Sequence, residues 1–288
     1  MIMTGYGYVV LTQKEYENNR KYRLNKKYTT KASIKENPHN GYCFYDNIKN
    51  AFGDQYEINE NFKVFECEIC SNIKDKDIIA KGYGVYYSNN IKLTREITKE
   101  EIIQYIKDNE LVNDKNKYVR LAVAKQGYGL DKLINDKDED VRAEVAKQGY
   151  GLDKLINDKR SSVRTEVAKQ GYGLDKLIND EDEDIRAAVA EQGYGLDKLI
   201  NDEDYKVRRV VAIQGYGLDK LINDEDYAVR SEVARQGYGL HILVYDEDAR
   251  VRMVVANQGY SLVILINDKN KYVRKLALDK LKRESLNK

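Results

Sequence analysis

Residues 136–157 read DKDEDVRAEVAKQGYGLDKLIN, and this 22-residue pattern returns down the chain with few changes. Val141 is followed at the same interval by Val163, Ile185, Val207, Val229 and Val251, each opening another version of the stretch. A unit this short has too little apolar surface to be stable alone, so neighbouring copies must stack and share one continuous core. The fold expected is a superhelical α-solenoid of 22-residue repeats, each with one long and one short helix.

The local chemistry sets the elements within a copy. Asp138 is placed to accept from the free N–H groups at a helix start, and Glu139 and Asp140 add negative charge where the helix dipole favours it. Val141, Val145 and Ala146 form a narrow apolar stripe. Gly149 suits the left-handed position after the helix, with Tyr150 and Val145 as the residues that meet in a Schellman ending. The long helix is therefore expected from about 139 to 148. Leu152, Leu155 and Ile156 supply a second apolar face over too few residues for more than a short α- or 3₁₀-helix.

The repeats occupy the second part of a 288-residue chain, which has room for two domains, expected at 1–98 and 99–288. The second would hold about seven to eight copies with terminal caps. Lys and Arg total 49 against 48 Asp and Glu, so no global field favours nucleic acid or anionic lipid. No apolar run reaches the length of a membrane span, and MIMTGYGYVV lacks the basic flank and apolar core of a signal peptide. A soluble cytoplasmic protein is expected. Three cysteines argue against a disulfide framework. A chain rich in Lys, Asn, Ile and Tyr, with one Pro and no Trp, suits an AT-rich bacterial or phage genome.

Two ladders recur in the copies. Arg120, Arg142, Arg164, Arg186, Arg208, Arg230, Arg252 and Arg274 match an equally regular series from Asp114 to Asp268, each Asp six residues before its Arg. Pairing within or between copies is the expected role, because carboxylates beside every Arg repel phosphate. The alternative is a nucleic-acid-binding solenoid, with Arg142, Arg164, Arg186 and Arg208 on phosphates and Tyr150, Tyr172 and Tyr194 stacking on bases. Recognition is expected where copies differ. The pair Asp153–Lys154 persists to Asp219–Lys220, then becomes His241–Ile242 and Val263–Ile264. On the long helix, Lys125, Lys147 and Glu191 give way to Ile213, and Glu144 and Glu166 to Val210 and Val254. Val210, Ile213, His241, Ile242, Val254, Val263 and Ile264 are thus the candidate protein-binding residues, for a partner or a second copy. Packing against a terminal helix from Lys271 to Leu286 competes with that reading. The octet NDKNKYVR stands at both Asn113–Arg120 and Asn267–Arg274, marking boundary copies, and Ile102, Ile103, Tyr105 and Ile106 would cover the first.

The acidic start, VRxxVA helix, glycine break and LxxL segment resemble the short α-solenoid repeats called leucine-rich-repeat variants, and more loosely HEAT repeats, over about residues 111–280. That resemblance implies a right-handed superhelix and binding of protein or nucleic acid. Some members carry an iron–sulfur cluster in a separate cysteine-rich segment. That segment is absent here, so no cofactor is carried over.

The first hundred residues alternate in short stretches, Tyr6–Leu11, Gly41–Tyr45, Phe62–Ile69 and Val85–Tyr87, as expected of a small α+β domain. Asp46–Phe52 and Lys14–Lys27 are read as helical turns. Cys67 and Cys70, with Cys43 and His39, have zinc-like spacing, but alternation along a strand sends Cys67 and Cys70 to opposite faces, and no metal site is assigned. Arg20, Lys21, Arg23, Lys26 and Lys27, interleaved with Tyr22 and Tyr28, read as a solvated helix face. The arrangement NGYCFYDNIKNAFGDQY, FKVFECEI and IKLTREIT resembles an uncharacterised small domain of phage and bacterial proteins, and loosely the ADP-ribosyltransferase fold. The second resemblance implies a nicotinamide pocket and a glutamate on the ribose; Glu66 and Glu68 read instead as strand residues facing water. No catalytic residue is assigned. The expected function is non-enzymatic protein binding, in a phage-encoded host-interaction or anti-defence setting, with nucleic-acid binding and N-terminal transferase chemistry as alternatives.

Overall fold

Long helices start every 22 residues: Lys117–Lys125, Glu139–Lys147, Ser161–Lys169, Glu183–Glu191, Tyr205–Ile213, Tyr227–Arg235, Ala249–Asn257 and Lys271–Leu286. Between them lie four-residue helices, from Leu130–Leu133 to Leu262–Leu265. The computed structural model describes residues 6–12, 27–29, 42–45, 48–53, 62–69, 78–82, 85–88 and 90–286. These fall into two units, Met1–Gly151 and Leu152–Lys288.

The first unit holds an antiparallel sheet of β1 (Tyr6–Thr12), β2 (Lys27–Thr29), β3 (Tyr42–Tyr45), β4 (Phe62–Ile69), β5 (Ile78–Gly82), β6 (Val85–Ser88) and β7 (Asn90–Glu96), in the order β2-β7-β4-β1-β3-β6-β5. β1 and β4 pair over seven residues, from Tyr6 opposite Glu68 to Thr12 opposite Phe62. The register of β4 on β7 shifts between Glu66 and Cys67. Val64 and Phe65 point to opposite faces and are both fully buried, so each face of β4 is covered there. Thr98 and Glu101 then form a reciprocal capping box, which starts the helix Lys99–Asp108. Ile102 and Ile106, one turn apart, carry its burial against the 3₁₀ turn Leu111–Asn113. The helix Ile48–Gly53 touches β1 and β3 and packs on Lys117–Lys125.

Of the strands expected from sequence, those in Tyr6–Leu11, Gly41–Tyr45, Phe62–Ile69 and Val85–Tyr87 are present within a residue or two. Lys27 and Tyr28 lie on β2, and the rest of the expected helix at Lys14–Lys27, with its basic cluster, falls outside the described residues. His39 and Cys70 also fall outside them. Cys67 is buried on β4, and Cys43 lies on β3.

In the second unit each long helix packs on the next, from Ser161–Lys169 through to Lys271–Leu286, and each short helix packs on the long helix that follows it. Serial packing of this kind is an α-solenoid. Val163, Ile185, Val207, Val229, Val251 and Val273 are all fully buried, as are Val167 and its equivalents. The narrow stripe read from sequence is thus the shared core. Among the described residues, no helix is long and apolar enough to cross a membrane.

Candidate protein-binding surface

The copy at 180–201 shows how backbone chemistry fixes the scaffold. Asp182 accepts the Asp184 N–H at 3.0 Å and caps the long helix. At its other end the Gly193 N–H donates to the Ala190 carbonyl at 2.9 Å, and the Tyr194 N–H to the Val189 carbonyl at 3.4 Å, with Gly193 at φ +73°. These are the two bonds of a Schellman ending. Gly195 follows at φ +61°, and a Cβ there would lie 2.2 Å from Ile178 Cδ1 of the preceding copy. This second glycine therefore serves close packing between copies as well as the turn.

The arginine ladder joins consecutive copies. Arg186 Nε and Nη2 donate to Asp202 Oδ2 and Oδ1 at 2.7 and 2.9 Å, while Nη1 donates to the Asp180 carbonyl at 2.9 Å. The acid six residues earlier supplies a carbonyl, and the acid sixteen residues later supplies the carboxylate. The same bidentate clamp joins Arg120 to Asp136, Arg164 to Asp180, Arg208 to Asp224, Arg230 to Asp246 and Arg252 to Asp268. Burial opposes ionisation of Asp136 and Asp180, but the Arg120 and Arg164 forks and a backbone N–H outweigh it and hold both acids below the usual range. Each clamped arginine is raised by its carboxylate partner.

In this geometry the cationic half of the nucleic-acid alternative faces carboxylates of the chain itself. Arg164, Arg186 and Arg208 have their forks closed by carboxylates, and Arg142 is buried with Nη1 on the Asp136 carbonyl. Glu181, Glu203, Glu225 and Glu247 stand almost fully exposed beside the clamps, a row that repels phosphate. Tyr150, Tyr172 and Tyr194 are partly exposed, each at the residue after its helix-ending glycine.

The candidate protein-binding residues divide between two kinds of element. Val210, Ile213 and Val254 lie on long helices, where Ile213 is exposed and the two valines are half-buried. His241, Ile242, Val263 and Ile264 lie on the last two short helices, all exposed. In earlier copies the Ile242 position is a lysine that bonds an asparagine of the copy before, as in Lys176 to Asn157, Lys198 to Asn179 and Lys220 to Asn201. The last copies replace that polar bridge with Ile242 at 52%, Val263 at 69% and Ile264 at 40% exposure. The final short helix does pack on Lys271–Leu286, yet Val263 and Ile264 stay open, so the terminal helix does not account for them. Sequence reading missed Tyr245, 69% exposed, which stands where the other copies have asparagine. The signal was that break in the asparagine series.

In the sheet, Glu66 Oε1 accepts Arg95 Nη2 at 2.7 Å, and Arg95 Nη1 reaches Glu101 at 2.7 Å. The Glu66 carboxylate is thus engaged in an exposed ion pair.

No family model and no curated protein matches this sequence. Among solved structures, a designed armadillo repeat protein in complex with the peptide (KR)4 is similar, at 17% identity and a TM-score of 0.21, over 64% of this chain and 93% of that one. The α-solenoid assignment stands on the helix order and packing of this chain itself.

Proposed function

We propose that this chain is a non-enzymatic protein-binding solenoid, whose partner docks on the apolar surface of the last short helices. The observation that supports it is the replacement of the Lys–Asn bridge by Ile242, Tyr245, Val263 and Ile264, which stay exposed. Apolar side chains grouped on a surface otherwise built of Asp and Lys mark an interface, because burying them against a partner releases water at no polar cost. His241 adds a hydrogen-bonding rim, and Ile213, Val210 and Val254 extend the set onto the long helices. In this reading residues 1–98 form a domain that caps or targets the repeats of 99–288. A cytoplasmic, phage-encoded host-interaction role is the setting that the composition suits.

The test is the double variant Ile242→Glu, Ile264→Glu. Proteins retained from a bacterial lysate by the wild-type chain should be released by this variant, and not by the control Lys198→Glu, with helicity unchanged by circular dichroism. Identical retention by wild type and double variant would remove this surface from consideration.

A further inference from the structure

The arginine ladder has two ends, and they are treated differently. At the first, Asp114 has no repeat arginine sixteen residues before it, since that position is Thr98. Its Oδ2 instead accepts Lys49 Nζ at 2.7 Å, from the helix Ile48–Gly53 outside the repeats. The open acid of the ladder is thus served by a cation from elsewhere.

At the other end Arg274 keeps the anchoring of its predecessors. Its Nη1 donates to the Asp268 and Lys269 carbonyls at 2.6 and 3.1 Å, as Arg252 Nη1 does to Asp246 and Glu247 at 2.6 and 3.0 Å. Among the described residues no carboxylate closes its Nε–Nη2 fork. The helix Lys271–Leu286 runs straight through the point where earlier copies break, with Lys280, Leu281 and Lys282 in place of Gln, Gly and Tyr. Leu278 occupies the position of Ala190, Ala212, Ala234 and Ala256, which are fully buried, yet it is 44% exposed. Lys271 and Lys275 are exposed on this helix, with Asp279 the carboxylate beside them, and make this face cationic.

We infer that Arg274 and Leu278 form a docking site for an acidic helical segment of a partner protein, with an aspartate ahead of its first turn to close the Arg274 fork and an apolar side chain to cover Leu278. The internal clamps supply the template: Asp202 lies two residues before the cap Asp204 and meets Arg186 in this way. A second copy is the weaker occupant, because its own leading acid, Asp114, already holds Lys49. The site lies on a different element from the short-helix patch and is independent of the function proposed above.

The experiment is fluorescence anisotropy of the full chain with a labelled peptide copying residues 180–194, DEDEDIRAAVAEQGY. Saturable binding is expected, weakened about tenfold by Arg274→Ala through loss of the bidentate pair. The peptide change equivalent to Asp180→Asn should weaken it equally, with no further loss when both are combined. Arg274→Lys, which keeps the charge without the fork, should fall between, and it decides the matter if Arg274→Ala loses helicity. Absence of saturable binding, or equal affinity for wild type and the Arg274 variants, overturns the site. So does sedimentation showing self-association that Arg274→Ala abolishes, since the occupant would then be a second copy.

Discussion

A buried Arg–Asp pair stabilises little by attraction alone, since both ions lose their water, but removing one partner strands the other charge. Arg186 and Asp202 are both more than nine-tenths buried and meet through two hydrogen bonds. Arg186→Ala should therefore cost about 3–5 kcal/mol in urea denaturation, far more than loss of an exposed pair such as Lys206–Glu183. A cost under about 1 kcal/mol would show the clamp to be incidental. The second glycine offers a different test at the same scale. The last copy carries Ser261 at φ +48° where earlier copies have glycine, and its opposite residue is Val244, whereas Gly151, Gly173, Gly195, Gly217 and Gly239 face isoleucine and Gly129 faces Val112. Valine lacks the Cδ1 atom that a Cβ at Gly217 would meet 2.1 Å away, on Ile200. Gly217→Ser should destabilise the array by about 1–3 kcal/mol, from backbone strain and this clash. Adding Ile200→Val should recover part of that loss, and strict additivity in a double-mutant cycle would refute the pairing.

At the level of the helix, one copy departs from the capping rule. The long helices of the other copies start from an Asp or Asn whose side chain accepts an N–H, as Asp138, Asp204 and Asp226 do, but Ser161–Lys169 starts from Arg160 with no side-chain cap bond. Arg160→Asp should raise stability by about 1 kcal/mol, read as an upward shift of the thermal midpoint. The caps, the Schellman ending at Gly149 and the short Leu152–Leu155 helix were all legible in the sequence, because each rests on residues within one or two turns of one another. What was not legible depends on contacts a copy away. Two acids flank each arginine at six and sixteen residues, and spacing alone does not say which gives a carbonyl and which a carboxylate. The role of Gly151 needs Ile134, seventeen residues earlier. Ile242 and Ile264 stood out as changes of residue type, but only the fold shows that they remain open while Val210 and Val254 are half-buried. The positions of β1, β3, β4 and β6 were readable from alternation and those of β2, β5 and β7 were not, while the order β2-β7-β4-β1-β3-β6-β5 depends on pairings far apart in sequence.

Within each unit the repeats are tied by the same clamps and the same packing, with consequences for pH and for length. Asp136, Asp180 and Asp268 are held below the ordinary aspartate value in the folded state. Their contribution is complete above the unfolded value of about 3.9 and is lost as pH falls through the lower folded values. Helicity at 222 nm should accordingly be flat from neutral pH down to about pH 5 and collapse below about pH 4. A transition near pH 6 would point to some other group. Copy number should be tolerant for the same structural reason. Deleting residues 163–184 joins Ser162 to Ile185, which restores the period and puts Asp158 six positions before Arg186, in the place of Asp180. Arg186 then keeps a carbonyl for Nη1 and its own clamp on Asp202, and among the clamps the Arg164–Asp180 pair alone disappears. The shortened chain should fold cooperatively, with a lower denaturation midpoint and a smaller dependence on urea, since less surface is exposed on unfolding. Loss of cooperative unfolding on deletion would show that the copies are not interchangeable, and that stability depends on differences between them that nearest-neighbour stacking does not capture.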